Sequence, residues 1–102
     1  MINLTIKQAL EKLKSREISA TELTRAYLER IEKYGDTLNC YITRTPERAL
    51  ADAAAADERI KSGNAHALDG MPIAMKDLFA TNGIRTTAAS RMLENFVPEY
   101  ES

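Results

Sequence analysis

The sequence lacks the cysteine and histidine needed for covalent or metal-based cross-links. Its single cysteine, Cys40, excludes an intrachain disulfide and argues against a secreted disulfide scaffold. We interpret Cys40 as a small buried hydrophobic residue in a strand. One cysteine and one histidine provide no ligand spacing for a metal site. Metal-centred chemistry by this chain is therefore not indicated, and we predict no metal ligands in it.

Two further catalytic patterns are missing. The four glycines stand apart, at positions 35, 63, 70 and 83, so the chain has no glycine-rich phosphate loop. A Ser-His-Asp triad would have to be built around His66, which lies in the segment NAHA with no orienting carboxylate nearby in sequence. We interpret His66 as an exposed loop residue.

An excess of charge and long apolar runs are also lacking. Lys and Arg total 14 and Asp and Glu total 15, which gives a net charge of -1. This balance argues against a nucleic-acid-binding surface in this chain. No run approaches the roughly 20 apolar residues of a membrane span, and the start MINLTIK does not resemble a signal peptide. We therefore expect a soluble cytoplasmic protein.

Local signals predict a helical hairpin over residues 1–36. Thr5 and Gln8 have the spacing of a capping box, and the helix that they begin is predicted to end at residues 14–15. Residues 19–22, SATE, form a second capping box ahead of an apolar stripe. We predict that this second helix ends at Gly35, as a C′ glycine.

The residues after the hairpin predict the beginning of an α/β core over 37–102. Residues 38–43 are rich in strand formers, and 71–75 form a short apolar run, so we predict a strand over each. Thr45-Pro46 is a helix start, and Gly63 closes the helix predicted over residues 47–61. Its buried stripe is predicted to comprise Ala49, Ala53, Ala56 and Ile60. The succession predicts parallel strands in a sheet that the chain does not complete.

The chain is organised around residues 68–78, LDGMPIAMKDL. Asp69-Gly70 is a turn signal, because glycine adopts a positive φ without a Cβ clash. Lys76 follows the apolar run directly. A lysine held against an apolar wall loses hydration of its charged form, so its pKa falls and the neutral amine becomes available as a base. The alternative is a solvated lysine that forms a surface pair with Asp77.

Residues 68–78 and the next stretch, TNGIRTTAAS at 81–90, resemble the amidase signature family. The family patterns are roughly G-[IV]-P-[IV]-x-x-K-D and T-x-G-x-x-T-T-x-x-S. The resemblance implies an α/β fold, a mixed sheet flanked by helices, of which this chain is the N-terminal part and about a fifth. It also implies catalysis by a Ser–cis-Ser–Lys triad with Lys76 as the lysine. Ala88-Ala89 and Glu99 depart slightly from the pattern.

Neither triad serine is matched in this chain, because the family places both in a later Gly/Ser-rich segment. The chain's own serines stand outside any Gly-Ser cluster, and we interpret Ser90 as the cap of a short helix. We therefore predict that the 102-residue chain alone has no amidase activity. Asp77 is interpreted as support of the strand end and not as a catalytic group.

The last stretch, MLENFVPEYES at 92–102, resembles the branch of the family that supplies ammonia to tRNA-dependent amidotransferases. This resemblance implies that the full-length subunit hydrolyses glutamine and passes ammonia to a B subunit. That subunit uses ATP and Mg²⁺ to activate glutamate esterified to tRNA(Gln), and a small C subunit wraps the two. This chain itself is expected to bind no cofactor.

Two alternatives remain open at this point. The chain could belong to a stand-alone amidase of the same family that acts on a small amide. It could also be a helical interaction module without catalysis, in which Lys76 is a solvated charge and two capped helices present narrow apolar stripes.

Overall fold

A computed structural model describes residues 2–102; Met1, the first residue of the predicted hairpin segment, lies outside them. Three α-helices form: α1 at Ile6–Lys14, α2 at Ala20–Leu38 and α3 at Pro46–Lys61. They are followed by a short 3-10 helix at Arg91–Leu93. The described residues form one isolated bridge, between Thr81 and Ile84, and no strand. None of their helices has the length and apolar character that crossing a bilayer requires.

The chain divides into two compact units. The first comprises the residues up to Leu38 together with Pro46–Pro72 and contains all three α-helices. The second comprises Asn39–Thr45 and Ile73–Ser102 and contains the 3-10 helix.

The predicted boundaries of α1 are confirmed. Gln8 N donates to Thr5 Oγ1 at 3.2 Å, and Thr5 N donates to Gln8 Oε1 at 3.0 Å, which completes the capping box. The helix ends at Lys14, and Arg16 then adopts a left-handed conformation with φ 63°. Its N–H donates to the Leu13 carbonyl at 3.1 Å, so a residue other than glycine closes this helix.

The beginning of α2 is capped from two directions. Ser19 Oγ accepts from Glu22 N at 3.0 Å, as the sequence predicts. The carboxylate of Asp57, on α3, accepts from Ala20 N at 2.6 Å and from Thr21 N at 3.1 Å. It also accepts from the Thr21 hydroxyl at 2.7 Å. A negative group therefore satisfies the free N–H groups at the positive end of α2 and ties α2 to α3.

A small apolar core lies among the three helices. Leu13 and Leu23 are its fully buried large side chains. Alanines fill the rest, and because they are small the helices pack closely; the core alanines are Ala9, Ala20, Ala53 and Ala56. Two of the residues predicted for the buried stripe of α3, Ala53 and Ala56, are thus confirmed. Ile60 packs partly buried against the same core.

The predicted end of α2 is wrong. The helix continues through Gly35, which is buried inside it, to Leu38. Asn39 takes the left-handed conformation instead, with φ 52°. Asparagine is the other residue that commonly adopts this conformation, because its short polar side chain can bond locally. A glycine inside a helix costs only about 1 kcal/mol relative to alanine, which this helix tolerates.

The two predicted strands do not form. Leu38 belongs to α2, and no strand forms over residues 39–43 or 71–75 among the described residues. A strand forms a hydrogen-bond ladder with a neighbouring strand, and no such ladder is found within residues 2–102. Cys40 is exposed, so its interpretation as a buried strand residue is also wrong. The mixed sheet predicted from the sequence is therefore absent from the described part.

Helix α3 begins and ends where the sequence predicts. Pro46 is its first residue, and Gly63 follows its end with φ 79°. Gly63 N donates to the Ile60 carbonyl at 3.2 Å, and Asn64 N donates to the Arg59 carbonyl at 2.9 Å. This pair of bonds is the Schellman motif, which explains the glycine.

A two-point ion pair fixes the loop that leads away from α3. Arg59 Nε and Nη2 each donate to a carboxylate oxygen of Asp69 at 2.8 Å, and His66 N donates to the same carboxylate at 2.9 Å. The Arg59 hydrogen bonds, followed by the His66 N–H, hold the pKa of Asp69 well below its usual range. Gly70 then turns the chain with φ 90°, which confirms the predicted turn.

We expect Asp57→Ala to destabilise the chain, because it leaves the first N–H groups of α2 without partners. The free energy of unfolding in urea should fall by about 1–3 kcal/mol. Asp52→Ala is the matched control. Asp52 lies on the same helix, is exposed and forms an ion pair with Arg48 one turn away, so its loss should cost about 0.5 kcal/mol or less. Equal losses for the two variants would contradict the capping role.

Gly70→Ala and Gly63→Ala should separate packing conflict from backbone strain. Both positions have positive φ, so both variants carry the strain of a left-handed alanine. A Cβ at Gly70 would lie 3.1 Å from Leu13 Cδ1 and 3.2 Å from Ala20 Cβ, whereas one at Gly63 meets nothing within 4 Å. We expect Gly70→Ala to lower the free energy of unfolding by about 1–3 kcal/mol more than Gly63→Ala does. Equal losses in urea titrations would contradict this expectation and show that Leu13 and Ala20 accommodate the added Cβ without loss of stability.

Candidate active site

Lys76 opens a tight turn in the second unit. Its carbonyl accepts from Phe79 N at 3.1 Å, so residues 76–79 reverse the chain. The Lys76 side chain is exposed, and so are the neighbouring apolar side chains of Met75 and Leu78. The apolar wall that would desolvate the lysine is therefore not assembled by the described residues. A catalytic role for Lys76 stays a prediction.

Asp77 binds a segment ten residues further along the chain. One carboxylate oxygen accepts from Thr87 N at 3.0 Å, and the other accepts from the Thr87 hydroxyl. The Asp77 carbonyl accepts from Ala88 N at 2.8 Å. The bond from the Thr87 hydroxyl, followed by that from the Thr87 N–H, lowers the pKa of Asp77. Asp77 thus binds the Thr87 segment; the strand end that it was expected to support does not form among residues 2–102.

The segment held by Asp77 has an unusual backbone. Ala88 and Ala89 both have positive φ, 49° and 58°, which non-glycine residues rarely adopt. Ala89 N donates to Thr87 Oγ1 at 3.2 Å, and Ser90 N donates to the Thr87 carbonyl at 2.8 Å. Thr87 is 4% exposed, so its bonds are shielded from water. Thr87 is the centre of this turn, a role that the sequence pattern did not reveal.

Ser90 has the capping role predicted for it. Its hydroxyl accepts from Met92 N at 3.3 Å at the beginning of the 3-10 helix. Ser19 and Ser62 also lie at helix ends, and Ser102 Oγ accepts from Ala80 N at 2.6 Å. The hydroxyls of these serines form hydrogen bonds with main-chain groups. The described residues contain no group of His, Cys, Asp or Glu side chains that could hold a metal ion, and His66 is exposed as predicted.

Arg85 ties the two segments of the second unit together. Its guanidinium donates to Thr43 Oγ1 at 3.2 Å and to the carbonyl of Ile42 at 3.2 Å. It also donates to the carbonyl of Glu94 at 3.1 Å. The sequence places Arg85 inside the threonine motif but gives no sign of these partners, because two of them lie far away along the chain. The planar guanidinium carries five N–H donors, so it can donate to several acceptors at once.

The second unit has no apolar core of its own among the described residues. Its buried residues are two threonines and a proline: Thr86, Thr87 and Pro98. Large apolar side chains face outward on it, including Ile42, Ile73, Met75, Leu78, Phe79, Met92, Val97 and Tyr100. Hydrogen bonds therefore define this unit.

The segments around Lys76 and Thr87 lie within the match to a known family. The family model described as Amidase matches residues 22–102, and the chain belongs to this family. Among individual proteins, the chain is similar to the A subunit of glutamyl-tRNA(Gln) amidotransferase from several bacteria. It is 54% identical over 102 residues to that of Dehalococcoides mccartyi and 55% identical over 102 residues to that of Granulibacter bethesdensis.

The chain spans about a fifth of the length of these relatives, namely 21% and 20%. The chain is also similar to a solved structure. It was reported as "An unexpected vestigial protein complex reveals the evolutionary origins of an s-triazine catabolic enzyme". It matches 97% of this chain with a TM-score of 0.90 and 29% identity, and the match covers 22% of that structure. The helices and turns described here therefore form part of a larger amidase-family domain.

Thr87→Val should raise the pKa of Asp77 towards its usual value, because it removes the hydrogen bond that lowers that pKa most. The wild-type bond stabilises the folded chain above about pH 4, the unfolded value, and this contribution is lost as pH falls through the folded pKa. The variant should therefore lose less stability on acidification. Carboxyl NMR titration of Asp77 measures the effect, with Thr86→Val as control. An unchanged midpoint in Thr87→Val would contradict it.

Proposed function

We propose that this chain is part of the glutamine-hydrolysing A subunit of a glutamyl-tRNA(Gln) amidotransferase and corresponds to its N-terminal fifth. The observation that carries the proposal is identity above 50% to A subunits over the whole chain. The segment from Met92 to Tyr100, which resembles this branch of the family, lies within the match. The whole subunit would act in the cytoplasm.

Lys76 is the residue of this chain that we propose takes part in the chemistry. In its neutral form it would accept a proton from the bridging serine, which would in turn accept the proton of the nucleophilic serine. That serine would attack the glutamine amide carbon. The proton held by Lys76 would return through the bridging serine to the amide nitrogen, so that ammonia leaves as the C–N bond breaks. Water would then hydrolyse the acyl-serine ester to glutamate. Both serines would come from parts of the subunit outside this chain.

The exposed apolar side chains near Lys76 support this role. A lysine acts as a base near neutral pH only where its charged form is poorly hydrated. Ile73, Met75 and Leu78 flank Lys76 and are exposed in the described chain. When the rest of the amidase domain covers them, Lys76 would lie against an apolar wall, as the sequence pattern suggests.

The remaining steps are assigned to partners. The ammonia would pass to a B subunit, which would use ATP and Mg²⁺ to activate glutamate on tRNA(Gln), and a C subunit would hold the two together. The net charge of -1 supports placing the main tRNA contacts outside this chain. This chain would itself bind neither nucleotide nor metal.

A stand-alone amidase is the second candidate. It stays open because the structure matched with a TM-score of 0.90 was reported in connection with an s-triazine catabolic enzyme and not with an amidotransferase. The higher identity to A subunits favours the first candidate. The two differ in whether glutamine hydrolysis supports amidation of Glu-tRNA(Gln) when the B and C subunits are added.

Lys76→Ala in the complete subunit, assembled with its partners, should lower the rate of ammonia release from glutamine by about 100-fold or more. Lys76→Arg should not restore it, because arginine stays protonated and cannot act as a base. Lys7→Ala, which removes an exposed lysine on α1, is the control and should retain the wild-type rate.

Retained activity in both Lys76 variants would overturn the proposed role and favour an interaction module. The 102-residue chain alone should release no ammonia from glutamine, since no nucleophile is assigned to it. Detectable hydrolysis by this purified chain would contradict the assignment of both serines to other parts of the subunit.

A further inference from the structure

We propose that Asp77, acting through Thr87, is a positioning residue that fixes the backbone from which Lys76 projects. The inference rests on the proposed function, because it requires Lys76 to be the base. It assigns to Asp77 and Thr87 a role beyond local support. The pair fixes the position of the Lys76 backbone, and Thr87 occupies both oxygens of the Asp77 carboxylate next to the lysine.

The main chain after Lys76 is bound at two consecutive peptide groups. The Lys76 carbonyl accepts from Phe79 N at 3.1 Å, and the next carbonyl, that of Asp77, accepts from Ala88 N at 2.8 Å. One of these bonds lies within the turn, and the other reaches a segment ten residues away. The Lys76 Cα is therefore held by bonds on its C-terminal side.

The side chains of Asp77 and Thr87 satisfy each other. Both oxygens of the Asp77 carboxylate accept from Thr87, one from its N–H and one from its hydroxyl. The same hydroxyl accepts from Ala89 N at 3.2 Å, so it donates in one direction and accepts in another. Thr87 is buried, and the arrangement therefore has one geometry that satisfies every group.

These bonds also hold a strained backbone in place. Ala88 and Ala89 are both left-handed, and residues with a Cβ persist in this conformation only where surrounding bonds impose it. The bonds that impose it come from Asp77 and Thr87. The two-alanine turn thus depends on the Asp77 carbonyl and on Thr87, which the Asp77 carboxylate binds.

The consequence for catalysis follows from distance and charge. A displacement of about 1 Å in a catalytic group can cost about 100-fold in rate. A carboxylate that was free to turn towards Lys76 would also favour its charged form, which cannot act as a base. Thr87 prevents both by engaging the two oxygens of Asp77.

The test compares Thr87→Val, Thr87→Ser and Thr86→Val in the complete subunit with its partners. Valine keeps the shape of threonine and removes the hydroxyl, whereas serine keeps the hydroxyl. Thr86 is the matched control: it is similarly buried, and its hydroxyl donates to the Ile84 carbonyl at 3.1 Å. Each variant is assayed for glutamine hydrolysis across pH, with kcat and KM measured separately.

We expect Thr87→Val to lower kcat by about 10- to 100-fold with KM changed less than about 3-fold, because positioning acts on the reacting group. The pH at which activity rises should move upward, because the released carboxylate favours charged Lys76. Thr87→Ser should restore most of kcat and the original pH profile. Thr86→Val should keep both.

Wild-type kcat and pH profile in Thr87→Val, with activity abolished in Lys76→Ala, would overturn the positioning role and leave the proposed function standing. Equal effects in Thr86→Val and Thr87→Val would show a merely structural role and also overturn it. Activity retained in Lys76→Ala would overturn the proposed function itself. If the Thr87→Val subunit does not assemble with its partners, Asp77→Asn is tested instead, because asparagine keeps one acceptor for Thr87 N. A wild-type kcat in Asp77→Asn would contradict the proposal.

Discussion

The carboxylate of Asp57 accepts hydrogen bonds from the first N–H groups of α2, and this pattern recurs through the chain. Asp69 accepts from the His66 N–H and pairs with Arg59, and Asp77 accepts from the Thr87 N–H. Each aspartate joins two segments that would otherwise separate. The chain relies on them because its apolar core is small and largely alanine, and its second unit has no apolar core among the residues described. Main-chain N–H groups bonded to a carboxylate thus occur in both units, beside an apolar core in the first unit.

The sequence predicted the parts of the fold that are decided locally. The capping box of α1, the Ser19 cap, the Thr45-Pro46 start and the turns at Gly63 and Gly70 all depend on residues within a few positions of one another. The strands over 38–43 and 71–75 failed because strand formation depends on a neighbouring edge, which the sequence of the strand cannot report. The end of α2 failed for a related reason, since Asn39 competes with Gly35 for the left-handed position.

In the candidate site, too, sequence reasoning found local features and missed those that depend on distant residues. Lys76 was found through its resemblance to a family pattern, but the turn that it begins was not predicted, since it was expected to follow a strand. Thr87 and Arg85 were part of the quoted pattern, but their partners lie 10 and more than 40 residues away. No periodicity or spacing in the sequence identifies such partners. The apolar wall expected beside Lys76 is not assembled by residues 2–102, in which Met75 and Leu78 are exposed.

We propose above all that Lys76 is the base of an amidase site whose serines lie elsewhere in the subunit. The crystal structure of the complete subunit tests this proposal most directly. We predict Lys76 Nζ within about 3 Å of a serine hydroxyl, shielded from water, with Asp77 still bonded to Thr87. A Lys76 side chain that remains in solvent, with the serines paired to another base, would contradict it.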